Sequence, residues 1–302
     1  MGAIADKDMT KIRMMVLETD EAHPDTVKER GSFADILHHH LAKAGRDHNP
    51  PMGIDTDQRF VVADKGGKVP KFEEFAGIHS VLITGSCFDA HSDKDWVLEL
   101  LELLKSEFPT IAIIIPWLTP APDLYTRRPD MKFSGICFGH QLLCRLLGSE
   151  IKPEPKGLWE LGHSQLNLTR IGKFLFQTDS DKIHLHQMHQ DQVVSAPSHE
   201  SSKGLLTPET RVHVWGSSEH TPIQGVFIAN RVFTTQAHLA FDQAMVHRQI
   251  EMRVEAGSIQ DLEHADQAKE TAHLEHDGNI VAAAILRFFH DEDKEVDNMA
   301  GS

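Results

Sequence analysis

Cysteine is scarce in this sequence, and so are tyrosine, long apolar runs and positive charge. Three cysteines in 302 residues are too few, and odd in number, so no disulfide framework is implied. A reducing, intracellular setting fits best. No apolar run approaches the roughly 18 residues of a membrane span. The opening Met1-Gly-Ala-Ile-Ala-Asp-Lys-Asp holds no apolar core of signal-peptide length, so a soluble, cytoplasmic protein is expected. Basic residues number 30 against 45 acidic ones, a formal net charge of −15. That balance argues against a nucleic-acid backbone or an anionic membrane as the main partner. It leaves room for a small-molecule substrate, because one local cluster of donors can hold an anion on an acidic protein. No internal repeat and no convincing boundary divides the chain, which reads as one domain over 1–302, with a Pro-rich insertion at 110–132 and a frayed acidic tail at 291–302.

What the sequence does contain is Phe133-Ser-Gly-Ile-Cys137-Phe-Gly-His-Gln141, followed by an apolar run to Gly148. This reads as a short strand, a tight turn and a helix. A residue at such a turn is pushed out at the top of the sheet. The helix that follows aims its N-terminal N–H groups and positive dipole end at the sulfur, an environment expected to favour the thiolate, which is the nucleophilic form. Gly135 and Gly139 flank the cysteine where a bulkier residue would crowd the bend. The bland alternative is a buried core cysteine; the Gly-x-Cys-x-Gly pattern between strand and helix favours a nucleophile.

The chain around it alternates strand-like and helix-like segments. Strands are expected over 11–19, 59–63 and 78–86, and helices over 32–44, with Ser32 as N-cap, and 95–108. Beyond Gly148 come short strand-like pieces at 166–169, 193–194, 212–215, 223–229 and 231–235, then helices over 241–256 and 280–289 around a polar stretch, 261–278. In open α/β sheets, sites lie beyond the carboxyl ends of the strands. Gly85-Ser86 at the end of one strand is therefore a candidate oxyanion donor. His238, at the end of another, is a candidate base, the usual partner of a cysteine nucleophile. Cys87 ranks far below Cys137, since it lacks the glycine-flanked turn. His38-His39-His40 lie consecutively on a helix and point in different directions, as a solvated face does. His184, His186 and His189 offer a metal-site alternative, with the third ligand's geometry unspecified.

Taken together, Gly135-Ile-Cys-Phe-Gly-His-Gln141, Ile83-Thr-Gly-Ser86, Gln236-Ala-His238 and Met188-His-Gln-Asp-Gln-Val193 resemble the ordered motifs of class I glutamine amidotransferases. Gly85-Ser86 with Asp89-Ala-His-Ser-Asp-Lys-Asp-Trp96 is especially similar to the stand-alone plant γ-glutamyl peptidases. The resemblance runs from about Lys11 to about Phe289. It implies an α/β fold, a flavodoxin-like three-layer sandwich with a mainly parallel central sheet and a small antiparallel extension. It implies Cys137 as nucleophile, His238 as general base, and backbone N–H groups at Gly85 and Phe138 around the oxyanion. Ser86, Gln141, His189, Gln190 and Asp191 would line the substrate pocket. The chemistry would be acyl transfer on a γ-glutamyl amide or related carbonyl through a thioester, with no cofactor and no metal; a homodimer is compatible with it.

One departure stands out. The family's triad acid falls two residues after the histidine, where this chain has Ala240, with Leu239 in place of the family's proline. Three expectations follow: a Cys–His dyad, a substitute acid with Asp242 as first choice, or a site put to another use. The last includes a repurposed biosynthetic enzyme acting on a non-glutamine carbonyl and a non-catalytic binding protein that has kept the fold.

Overall fold

A computed structural model describes residues 10–105 and 123–299. Most of the Pro-rich insertion expected at 110–132 lies outside the described residues. The strands are β1 (Thr10–Glu18), β2 (Met52–Phe60), β3 (Ser80–Ile83), β4 (Lys132–Ile136), β5 (Ile151–Pro153), β6 (Glu160–Leu168), β7 (Lys182–His189), β8 (Asp191–Val193), β9 (His213–Ser217), β10 (Gly225–Ile228) and β11 (Val232–Thr235). The α-helices are α1 (Pro24–Arg30), α2 (Phe33–Asp47), α3 (Asp95–Leu104), α4 (Leu124–Arg127), α5 (Phe138–Leu146), α6 (Arg170–Phe176), α7 (Gln243–Glu255), α8 (Leu262–Glu270), α9 (Gly278–Phe289) and α10 (Val296–Met299).

Nine strands form one mixed sheet in the order β2-β1-β3-β4-β11-β10-β9-β6-β7. From β2 to β11 neighbouring strands run parallel. From β11 through β10, β9 and β6 to β7 they run antiparallel. Successive residues of a strand face opposite sides of the sheet, and β1 shows it. Met14 and Val16 pack with Leu37, Leu41, Val246 and Ile285 of α2, α7 and α9. Met15 and Leu17 pack with Trp96, Val97, Leu142 and Leu143 of α3 and α5. The sheet is the middle of three layers, and β3, β4 and β11 bring their carboxyl ends to one edge.

Helix α2 begins as expected. Ser32 Oγ accepts the Asp35 N–H, and the Asp35 carboxylate accepts the Ser32 N–H at 2.8 Å, a reciprocal cap. It runs past Gly45 to Asp47, pressing there on the Met52 carbonyl. The second strand lies at 52–60 rather than 59–63. It is an edge strand with a largely polar outer stretch, Asp55 to Arg59, so its pairing with β1 left no apolar run to find. Helix α8 lies inside the polar stretch 261–278. Its buried face is made of Ala265 and Ala268, too small to stand out as a stripe. The tail is packed as far as α10: Val296 is buried, and Asp297 Oδ1 lies 2.8 Å from His213 Nε2. On β7, His184 and His186 share a face and His189 takes the other. Among the described residues no cluster of three or more His, Cys, Asp or Glu side chains is arranged to hold a metal ion. No helix among them is long and apolar enough to cross a membrane.

Candidate active site

The turn between β4 and α5 places Cys137 at φ 53°, ψ −106°, a left-handed backbone that costs a residue with a side chain about 1–3 kcal/mol. Packing on both sides imposes it. A methyl group on Gly135 would meet the Gly139 carbonyl at 2.3 Å, and one on Gly139 would meet Ile83 O at 2.3 Å. The Cys137 N–H donates to Thr235 O at 2.8 Å and the Gly139 N–H to Thr84 O at 3.1 Å. The turn is thereby pinned to β11 on one side and to the end of β3 on the other.

Gly85 connects this turn to His238. A methyl group there would lie 2.9 Å from His238 Cε1, 3.7 Å from His238 Nδ1 and 3.4 Å from Cys137 Cβ. The cysteine, the Nδ1 edge of the imidazole and the backbone of Gly85 therefore share one small volume. No hydrogen bond within the described protein occupies the Gly85 N–H. The Phe138 N–H points at the sulfur.

The resting protonation state differs from the sequence expectation of a thiolate. Burial pushes the Cys137 thiol up to about 11, against the opposing pulls of Arg253, the Phe138 N–H and the Gln236 side chain. Burial also drives His238 well below its usual value, aided by Arg253, His189 and His186. The dry setting opposes the helix end and favours the uncharged form of both groups.

His238 is held by its ring face and its backbone. Its ring stacks on Phe241 with centroids 3.9 Å apart and planes at 14°, and its N–H donates to His186 O at 2.9 Å. Its Nε2 is buried with no hydrogen-bond partner among the described residues. Ala240, at the position of the family acid, has nothing to offer it. Asp242, the expected substitute, is engaged elsewhere. It caps α7, accepting the Met245 N–H at 2.9 Å, and its other oxygen pairs with Arg30. The ring, Ala240, Phe241, Gln249 and Arg253 border a cavity of about 40 Å³.

A separate cleft of about 280 Å³ opens on Cys137. It gathers most of the residues expected at the pocket: Ser86, Gln141, His189, Gln190 and Asp191. Gln141 is buried and donates to Asp191 O at 2.8 Å and Gln236 Oε1 at 3.0 Å, so it braces the pocket wall. Gln190 donates to Gly157 O at 2.7 Å. Asp191 Oδ2 lies 3.0 Å from His91 Nδ1. Both ring nitrogens of His189 face acceptors, Asp191 O and Glu160 Oε2, each at 2.9 Å, and both bonds are made only when both nitrogens carry hydrogen. Burial pushes Glu160 up, but the hydrogen bond and charge of His189, with Ser218 and Thr221, outweigh it and hold the carboxyl below its usual value.

Sequence reasoning missed several contributors. Arg253 of α7 reaches both the cleft and the small cavity. It bonds only to Gln249 O and Oε1 and pairs with no carboxylate among the described residues. Glu160, Trp159 and Phe241 belong to segments with no local motif. Gln236 stood two residues before His238, a signal that was there to use.

No family model matches the chain. It is 24% identical over 273 residues to a glutamine amidotransferase-like protein of Schizosaccharomyces pombe, across 90% of this chain and 96% of the relative. It is 23% identical over 228 residues to γ-glutamyl peptidase 3 of Arabidopsis thaliana, across 74% and 78%. Among solved structures, a glutamine amidotransferase from Thermotoga maritima matches with a TM-score of 0.53 at 16% identity, across 92% of this chain and 98% of that one; likeness of that degree establishes the fold.

Proposed function

Since the chain belongs to the class I glutamine amidotransferase-like family, we propose that it is a cysteine-dependent hydrolase or acyl-transfer enzyme acting on a γ-glutamyl amide or related carbonyl. The observation that carries this reading is the shared volume of Cys137, Gly85 and the Nδ1 edge of His238. In the proposed reaction His238 Nδ1 takes the thiol proton as the sulfur attacks the carbonyl carbon. The Gly85 and Phe138 N–H groups receive the oxyanion. The imidazolium returns its proton to the leaving amine, and a thioester remains on Cys137. Water, deprotonated by His238, then releases the acid.

The cleft carries both signs of charge. Arg253 stands against Asp89 and Asp191, a lining that suits the zwitterionic head of a γ-glutamyl group. The second reading, turnover of a non-glutamine carbonyl, draws on Ala240 and the unpartnered Nε2. Incubating the protein with glutathione and γ-glutamyl conjugates, followed by intact-mass analysis, tests the proposal. A mass gain of one glutamyl acyl group on Cys137 is expected. Turnover of none of these compounds, with no adduct, would overturn the γ-glutamyl reading.

A further inference from the structure

We propose that His186 stands in for the missing carboxylate, orienting His238 through one shared water molecule; this rests on the cysteine-hydrolase reading above. The two residues form an antiparallel bridge between β7 and the end of β11. Directly opposed residues of such a pair send their side chains to the same side, with Cβ atoms about 4.5–5.5 Å apart. His186 is 0% and His238 8% exposed. Both nitrogens of His186 and the Nε2 of His238 bond to no protein group among the described residues. Leaving a buried polar atom unpaired is costly, and three such atoms belong to this one bridged pair of residues. One water between the rings would satisfy two of them.

The surrounding groups leave His186 as the available partner. Its ring packs edge-on against His276 at 4.9 Å and His163 at 5.8 Å. The Nδ1 of His276 accepts the Gly278 N–H at 3.1 Å, and its other side is engaged with the Phe241 backbone. The Nε2 of His163 lies 2.8 Å from Glu275 O. Asp242, the acid whose charge His186 feels, caps α7 and pairs with Arg30.

The chemistry is that of a tautomer lock. His238 Nε2–H donates to the water, and the water donates to a lone pair on His186. The hydrogen of His238 is thus fixed on Nε2, and its Nδ1 lone pair is left on the edge that shares the Gly85 volume with Cys137. A neutral imidazole stabilises the transient imidazolium less than a carboxylate does, so His186 is a positioning residue with a moderate effect.

The test compares His186→Phe, which fills the space without a lone pair, with His186→Gln, which keeps hydrogen-bonding capacity. Three quantities are measured: kcat and KM on a γ-glutamyl substrate, the rate of Cys137 alkylation by iodoacetamide against pH, and the ¹⁵N shifts of His238 in the parent. His186→Phe should lower kcat on the order of 10- to 100-fold with KM nearly unchanged, and should slow alkylation near neutral pH. His186→Gln should keep most of both rates. Adding Ala240→Glu to His186→Phe should restore kcat. An unchanged kcat in His186→Phe overturns the proposal. If the parent turns over no γ-glutamyl compound, only the functional reading falls, and an unchanged alkylation rate decides against His186 alone. If His186→Phe does not fold, the parent's ¹⁵N spectrum decides: hydrogen on Nε2 supports the lock, and hydrogen on Nδ1 overturns it.

Discussion

At the Cys137 turn the backbone is pinned to β11 on one side and to the end of β3 on the other, and the strained φ follows from that packing. At the His238 corner the restraints are a stacked ring and one backbone hydrogen bond, and one side-chain nitrogen has no partner among the described residues. The first is a device of backbone and glycine, in which any added atom collides. The second is a device of side chains, in which Ala240 stands where the resemblance puts an acid and Phe241 and the backbone hold the ring. A backbone device tolerates little change. A side-chain device can lose a member and keep its shape.

The largest expected effect comes from removing the sulfur. Cys137→Ala should lower kcat by about 10⁴-fold or more, with the fold intact, since effects of this size accompany loss of a nucleophile. Circular dichroism and steady-state rates on the best γ-glutamyl substrate check it. Retention of more than a hundredth of the parent rate would remove Cys137 from the chemistry.

Next is the backbone device itself. Gly139→Ala places a methyl group 2.3 Å from Ile83 O. Backbone on both sides must shift, at a cost of about 3 kcal/mol or more. Urea denaturation measures it. A loss under about 1 kcal/mol would show that the turn is not pinned to β3 as described.

These two regions also explain what was legible in the sequence. The Cys137 turn could be found because its constraints are local: strand, glycine, cysteine, glycine and helix follow one another within a few residues. The parallel half of the sheet was legible for the same reason, since buried strands such as β1 are continuous apolar runs. Edge strand β2 and helix α8 were not, because neither buries a large apolar side chain on a regular spacing. The pocket residues around His189 to Asp191 were named through resemblance. Arg253, Glu160 and Phe241 were not named, because they reach the site from separate segments and only the fold brings them together. The burial that opposes the helix end at the thiol was not legible, because a sequence shows the helix and not the depth of the site.

Acid should act on the histidine side more than on the turn. His186 and His40 are depressed to about 4, in each case chiefly by burial. Their folded values lie below the unfolded value of 6.5, so the unfolded chain binds more protons as pH falls. Stability is therefore full above about pH 6.5 and is lost between there and about pH 4, at up to about 1.4 kcal/mol per pH unit for each histidine. Urea midpoints at pH 7.5, 5.5 and 4.5 should fall steeply. His186→Phe, if folded, should flatten the slope by close to one proton; an unaltered slope would mean that His186 is not buried neutral.

The smallest effect sharpens the comparison most. Asp242 was the first choice as substitute acid, yet it caps α7 and pairs with Arg30. Asp242→Ala should therefore cost about 1 kcal/mol of stability, as loss of a helix N-cap does, while kcat stays within about twofold and its pH profile is unmoved. A carboxylate acting on His238 would instead lower kcat on the order of 100-fold when removed. If that larger loss is seen in a folded variant, Asp242 reaches His238 during turnover, and the histidine corner has an acid after all.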